Sequence, residues 1–332
     1  MIKKNLIFVF LLCSSCTDEF SDCLYDNNYQ KGMSIFFMPP RNRFEKQDFT
    51  ANITRLKSIG VNTLFLTPYY FTPNPTSNRI DSTSQTIPDS QLCSAITIAQ
   101  QAGIAVILKP HIDCLDGQPR YLIDPQDYNS WMERYKVFLQ KYLVIAHQFG
   151  LTSFVVATEL DNIIKNKLFI DFCDSVHTTY KVTIILSTSY NHFTQSDIWK
   201  HVDVLGINAY LNLDNSEKPQ EATLHETWNY WLNMINQFSE LHGKPVMLTE
   251  VGFMSRGNAA KNPGDFSGND PVDYKLQDQC YHALLSQACQ FDNIKGIFFW
   301  QWELGTSGMN SERDYTPKGK PAENTIKRYW AK

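Results

Sequence analysis

Eight short apolar runs, separated by stretches with helical periodicity, constrain this chain more than any other feature. The runs are Gly32–Phe37, Val61–Thr67, Ala105–His111, Ser153–Glu159, Val182–Ser187, Val202–Ala209, Pro245–Glu250 and Ile294–Trp302. Each is nearly continuous in apolar residues, the pattern of strands covered on both faces, which occur in parallel sheets wrapped by helices. Between them, apolar stripes recur at helical spacing. Phe49, Ile53, Leu56 and Ile59 form one stripe, and Leu92, Ile96, Ala99 and Ala102 a second. Trp131, Tyr135, Phe138, Tyr142 and Ala146 form a third; Leu224, Trp228, Trp231, Ile235, Phe238 and Leu241 a fourth; Leu276, Cys280, Ala283 and Leu284 a fifth. Such stripes mark helix faces packed on a sheet.

The length of 332 residues, with 43% hydrophobic residues, supports one large core. Eight strands in that length fit an α/β fold, a single closed (β/α)8 TIM barrel, better than a doubly wound sheet. No Gly-rich phosphate fingerprint follows the first strand, which argues against a nucleotide fold. The barrel domain is expected over 31–332, after a polar lead-in over 17–30. A net charge of −4 without basic runs excludes a nucleic-acid partner. A monomer is expected.

Residues 1–16 read as a targeting segment rather than as fold. Lys3 and Lys4 form a positive start, Leu6–Leu12 a short apolar core, and Ser14-Ser15 a small-residue cleavage site before Cys16. The apolar run is too short to span a bilayer. Small residues directly before a cysteine resemble a bacterial lipoprotein signal, in which Cys16 becomes the lipidated first residue and anchors the chain to a membrane. Asp18 and Glu19 resemble an outer-surface export signal. An ordinary secretory peptide is the alternative. Of eight cysteines, Cys13 and Cys16 lie in this segment, and the remaining six allow disulfides in an exported chain or buried free thiols. Cys280 and Cys289 are expected on opposite faces of one helix and so cannot pair.

In a (β/α)8 barrel, functional residues gather at the C-terminal ends of the strands. Polar groups do collect there. The second strand ends near Tyr69, the third on Lys109-Pro-His111-Ile-Asp113, and the sixth on Asn208-Ala-Tyr210. The fourth and seventh both end on Thr-Glu, at Glu159 and Glu250, and the eighth ends on Trp300-Gln-Trp302. Strands four and seven face each other across the mouth, so the two carboxylates can flank one bond. Glycoside hydrolysis needs that pair, one protonated and one ionised. Tyr210 is placed to hydrogen-bond Glu250. Lys109, His111 and Asp113 alternate toward one side, where they can hold sugar hydroxyls. Trp300 and Trp302 are in phase to form a stacking floor. His111 and Asp113 as metal ligands would call for His-x-His on the first strand, and Ser34–Phe37 has none; no metal or cofactor is expected. No Gly-x-Ser-x-Gly elbow supports a serine triad. His147 and His282 read as helix-surface residues.

Six segments carry a family resemblance: Leu108-Lys-Pro-His-Ile-Asp113, Ala157-Thr-Glu-Leu160, Leu205-Gly-Ile-Asn-Ala-Tyr210, Pro245-Val-Met-Leu-Thr-Glu-Val-Gly-Phe253, Phe299-Trp-Gln-Trp302 and Tyr315-Thr-Pro-Lys-Gly-Lys-Pro-Ala-Glu323. In this order and spacing the chain resembles glycoside hydrolase family 113, retaining clan A barrels associated with β-1,4-mannan. The resemblance runs from about Lys31 to Trp330. It implies Glu159 as acid/base and Glu250 as nucleophile. From their places at the strand ends and in the loop after the third strand, sugar contacts are expected from Lys109, His111, Asp113, Arg120, Asn208, Tyr210, Trp300, Trp302 and Tyr69. The chain departs from the family at Pro119-Arg120-Tyr121, where Trp-Arg-Gly is usual. It departs again at Leu186-Ser-Thr-Ser-Tyr190, where the fifth strand usually ends near Asn and Trp. Those departures bear on the choice of sugar. Another β-linked glycan, or a glycan-binding barrel without turnover, are the alternatives.

Overall fold

The computed structural model describes residues 29–195, 197–305 and 312–331. The leader, including Cys16, and Cys23 lie outside them. In chain order the elements are β1 (Gln30–Phe37), α1 (Lys46–Ser58), β2 (Thr63–Thr72), α2 (Asp89–Gln101), β3 (Ala105–Leu108), β4 (His111–Cys114), α3 (Tyr128–Gln148) and β5 (Ser153–Thr158). There follow α4 (Lys167–Tyr180), β6 (Thr183–Ser189), β7 (Val204–Asn208), α5 (Glu221–His242), β8 (Val246–Val251), α6 (Tyr274–Leu285), β9 (Ile294–Phe299) and α7 (Pro321–Trp330). The barrel strands pair in parallel, and β1 pairs with both β2 and β9, which closes a (β/α)8 barrel.

Two departures from the sequence expectation stand out, and the first has a local cause. The third strand is split, because Pro110 has no N–H to continue the ladder. Beyond the break, β4 pairs with the extended end of β2, matching Tyr69 with His111 and Phe71 with Asp113. The predicted single helix through Cys280 and Cys289 is also two pieces. Here α6 stops at Leu285, and residue 289 falls in a separate 3-10 turn, Ala288–Gln290. Cys93, Cys114, Cys173 and Cys280 are free thiols.

Strand periodicity sorts the barrel interior into layers. Phe65, Ile107, Val155, Ile185, Val204, Met247 and Phe298 form one apolar cluster, one residue from each of seven strands. Gly32, from the eighth, leaves room for it, since a Cβ there would lie 2.2 Å from the Phe298 ring. Two residues farther along the strands the interior turns polar, with Ser34, Thr67, Lys109, Ser187 and Thr249 all buried. A further step brings Phe36, Tyr69, His111 and Asn208 to the mouth. The opposite strand faces pack on the helices in one large core. The predicted stripes lie in that core, with Trp231 partly buried, except that Leu241 is 80% exposed near the end of α5. The stripe of α4, Phe169, Phe172, Cys173 and Val176, adds to the same layer.

Candidate active site

Glu250 owes its position to an irregularity in β8. Ile207 pairs with Leu248 but Asn208 pairs with Glu250, and the register against β9 slips over the same stretch. One extra residue in β8 at this point lets consecutive side chains, Thr249 and Glu250, both reach barrel-interior partners, as bulges beside functional sites do. Thr249 Oγ1 donates to Asn208 Oδ1 (3.0 Å). Glu250 Oε1 accepts from Lys109 Nζ (2.5 Å), and Oε2 accepts from the Tyr210 hydroxyl (2.8 Å). Lys109 is fully buried and also donates to the Thr249 carbonyl (3.2 Å). Burial pulls its ammonium below the ordinary value, and the Glu250 charge opposes that drop. Burial and Glu250 together push the Tyr210 phenol well above its usual range. Tyr210 therefore stays protonated and can only donate to the carboxylate. Its ring meets that of Tyr315 edge to face at 6.0 Å, and Tyr315 is tied by its hydroxyl to the Pro263 carbonyl (2.6 Å).

Lys109 thus holds a carboxylate rather than sugar hydroxyls, and His111 takes a different part. Its Nδ1 lies 2.6 Å from Arg120 Nη1. A guanidinium can only donate, so Nδ1 accepts and the proton sits on Nε2. That Nε2 is buried, without a hydrogen-bond partner, and 3.8 Å from Glu250 Oε1. Burial, then the charges of Arg120 and Lys109, keep the ring neutral, well below its ordinary pKa. Arg120 also pairs with Asp113 (2.7 Å), and Tyr69 hydroxyl sits 3.2 Å from His111 Nδ1. Tyr69, His111, Asp113 and Arg120 therefore form one connected group. The arginine kept in the divergent Pro119-Arg120-Tyr121 segment is what fixes the imidazole tautomer.

Glu159 follows the last residue of β5, beyond another register slip between Val155 and Ala157. Its φ of +52° lies in the left-handed region that non-glycine residues avoid, a conformation that persists only where surrounding contacts impose it. The backbone is held by Glu159 N donating to the Ser187 carbonyl (2.8 Å). The side chain, partly buried, has no ion-pair partner among the described residues. Burial, and next the Glu250 charge, push its pKa up from 4.5 to about 7; Arg120, the Asn208 amide and Lys109 oppose the rise. Asn208 is itself oriented. Its Oδ1 accepts from Ser187 Oγ (2.7 Å) and Thr249 Oγ1, which leaves Nδ2 buried and unpartnered.

The two tryptophans separate. Trp300, partly exposed, stacks on Phe36 and on His111, with ring centroids 5.8 Å apart in both pairs. Trp302 is fully buried, and its indole N–H donates to Asn52 on α1 (2.9 Å). It faces the helical layer and not the mouth, because β9 ends at Phe299 and the strand alternation does not extend to Trp302. Three contributors were not read from sequence. Ser187 and Thr249 orient the Asn208 amide, and Phe36 backs Trp300. Phe36 was accessible from its phase with Ser34; Ser187 and Thr249 become visible only once cross-strand neighbours are known.

A family model for Glycoside Hydrolase Family 113 matches residues 33–320. Among solved structures, a family 113 β-1,4-mannanase complex aligns with a TM-score of 0.80 at 21% identity, covering 91% of this chain and 98% of that one. The family 113 β-mannanase AaManA from Alicyclobacillus acidocaldarius aligns with a TM-score of 0.80 at 20% identity, covering 93% and 99%. A β-glucuronidase from Ruminococcus gnavus aligns more loosely, with a TM-score of 0.63 at 12% identity, covering 91% of this chain and 50% of that one. No curated protein matches the sequence. The structural neighbours establish the fold, and the family match spans nearly the whole barrel with both glutamates inside it. The chain belongs to glycoside hydrolase family 113 and is a glycoside hydrolase.

Proposed function

We propose that this chain is an exported, retaining β-mannanase-like enzyme acting on β-1,4-mannan or manno-oligosaccharides. The observation that carries the reading is the contrast between its two mouth carboxyls. Glu250 is ion-paired and doubly hydrogen-bonded as an anion, and Glu159 is held protonated to about pH 7. Glu159 donates its proton to the glycosidic oxygen as Glu250 attacks the anomeric carbon, giving a glycosyl-enzyme and a free leaving-group hydroxyl. Glu159, now ionised, then takes a proton from water as that water displaces Glu250, and the starting state is restored. Asn208 Nδ2 and His111 Nε2 are donors without protein partners, suited to substrate hydroxyls, and Trp300 offers an aromatic face. Mannan as substrate is supported by the family 113 neighbours, which are β-mannanases.

Reducing-sugar release on mannan, glucomannan, cellulose and xylan tests the substrate, with NMR of the first-formed anomer testing retention. Turnover of mannan with a β-anomer first is expected. Turnover of cellulose or xylan alone would overturn the mannan reading, and tight binding to a glycan without turnover would favour a binding protein. Export with a lipid on Cys16 rests on the leader sequence. It predicts that Cys16→Ser moves the protein from the membrane to the soluble fraction. Among the described residues no helix is long and apolar enough to cross a membrane.

A further inference from the structure

Outside the barrel mouth, α5 and α6 bring three metal-ligating side chains to one point on the helical layer. Glu221 and His225 stand one helical turn apart on α5 and share a face; His282 comes from α6. Their ligand atoms lie within 4.8 Å of one another. Both imidazoles present Nε2 to the same carboxylate oxygen: Glu221 Oε1 is 3.8 Å from His225 Nε2 and 3.6 Å from His282 Nε2. The rings meet edge to face, with centroids 5.3 Å apart. All three side chains are partly open to solvent, which gives an ion an entry path.

The far nitrogens are held as well. Ser286 Oγ donates to the Ala283 carbonyl (3.2 Å), so its oxygen is left to accept from His225 Nδ1 (3.2 Å). Gln287 Nε2, 3.4 Å from the same nitrogen, commits its hydrogens to the carbonyls of His225 and Ala283. The consistent assignment puts the His225 proton on Nδ1 and a lone pair on Nε2, facing Glu221. His282 Nδ1 is 2.8 Å from the Tyr329 hydroxyl on α7, which can accept its proton; ligation through Nε2 needs that tautomer, with the Arg328 guanidinium turned aside from Nδ1. Metal-binding histidines are oriented by such contacts at the nitrogen away from the metal. Of the other charges nearby, Arg328 (3.4 Å from His282 Nδ1) opposes a cation and Asp278 favours one.

We propose that Glu221, His225 and His282 form a site for a borderline divalent transition metal of the Zn²⁺ type, with solvent completing the coordination. Two imidazole nitrogens and one carboxylate oxygen suit that class, whereas Ca²⁺ and Mg²⁺ prefer all-oxygen shells. Tetrahedral Zn²⁺ with bonds of about 2.0–2.1 Å sets its ligand atoms about 3.3–3.4 Å apart. The present spacings to Glu221 Oε1 therefore need only a few tenths of an ångström of side-chain adjustment. A bound ion would join α5 to α6, and through Tyr329 to α7, as a brace on the outside of the barrel. It takes no part in the chemistry at the mouth.

The test uses the untagged mature protein, stripped with a chelator and titrated with Zn²⁺ by calorimetry. Co²⁺ absorption then reports the ligand field. One ion per chain is expected, with Tm rising on Zn²⁺ addition. His225→Ala and His282→Ala should each weaken binding by about 100-fold or more, and Ser286→Ala, which removes only the Nδ1 acceptor, by about tenfold. Binding of unchanged strength in both histidine variants would overturn the site, as would no binding in large Zn²⁺ excess. Should a variant fail to fold, anomalous diffraction from Zn²⁺-soaked wild-type crystals decides the matter. A peak between the three side chains supports the proposal, and peaks only elsewhere refute it.

Discussion

The ends of β5 and β8 carry the same dipeptide, Thr-Glu, yet the barrel treats the two glutamates in opposite ways. At the end of β8, Glu250 meets a buried ammonium and a phenol that can only donate. At the end of β5, Glu159 meets no ion pair among the described residues, and burial raises its pKa to about 7. The difference comes from neighbouring strands. Lys109 arrives from the third strand and Tyr210 from just beyond β7, and both reach Glu250. The lesson is that the proposed catalytic roles are properties of the surroundings, not of the motif. On the proposed roles, two identical side chains differ as acid and nucleophile because one is given a buried ammonium and a phenol, and the other burial with only a weaker amide contact.

Substitutions at the two ends should break this contrast unequally. Glu250→Gln removes the proposed nucleophile and is expected to lower kcat by about 10⁴-fold or more, measured on the preferred glycan. Glu159→Gln should cost about 10²–10⁴-fold on polysaccharide, and much less on an aryl glycoside whose leaving group needs no proton. Equal losses on both substrates would contradict the acid role. Lys109→Met leaves a buried carboxylate without its cation and should destabilise the fold by about 3 kcal/mol, read by urea unfolding, besides lowering kcat. Tyr210→Phe removes one hydrogen bond to a charged group, worth about 1.5–3 kcal/mol, so a loss in kcat/KM of about 10–100-fold is expected. The smallest effect separates the tryptophans. Trp300→Ala should raise KM, whereas Trp302→Phe should leave KM unchanged and lower stability by about 1 kcal/mol through the lost bond to Asn52.

The pH dependence follows from the same contrast. Folded Glu159 keeps its proton to about pH 7, whereas an unperturbed glutamate releases it near 4.5. Its contribution to stability is thus present below about 4.5 and is lost as pH rises through 7. Glu159→Gln should therefore raise Tm relative to wild type above pH 7. Near pH 4 the two proteins should melt together. The kcat/KM of the wild type should fall as pH rises through about 7.

Much of this was legible in sequence because parallel strands covered on both faces must be apolar throughout. The eight runs, the closed barrel and the polar character of the strand ends all follow from that requirement. Tyr210 against Glu250 was legible too, since adjacent strands with known ends must bring those side chains together. Three features were not. The β8 irregularity depends on cross-strand register, which no single strand encodes. Lys109 reads as a sugar contact until burial shows that it needs an anion. Trp302 keeps strand phase with Trp300 on paper, but alternation holds only while the strand continues, and β9 stops at Phe299. The Glu221, His225 and His282 cluster was hidden for a similar reason, because two helices far apart in sequence supply it.

The most direct test of the central claim is the titration of the Glu159 carboxyl carbon by NMR, with the resonance assigned through its loss in Glu159→Gln. A midpoint near 7 in the wild type, falling in Glu250→Gln as the neighbouring charge is removed, is the predicted result. A midpoint near 4.5 in both proteins would contradict it.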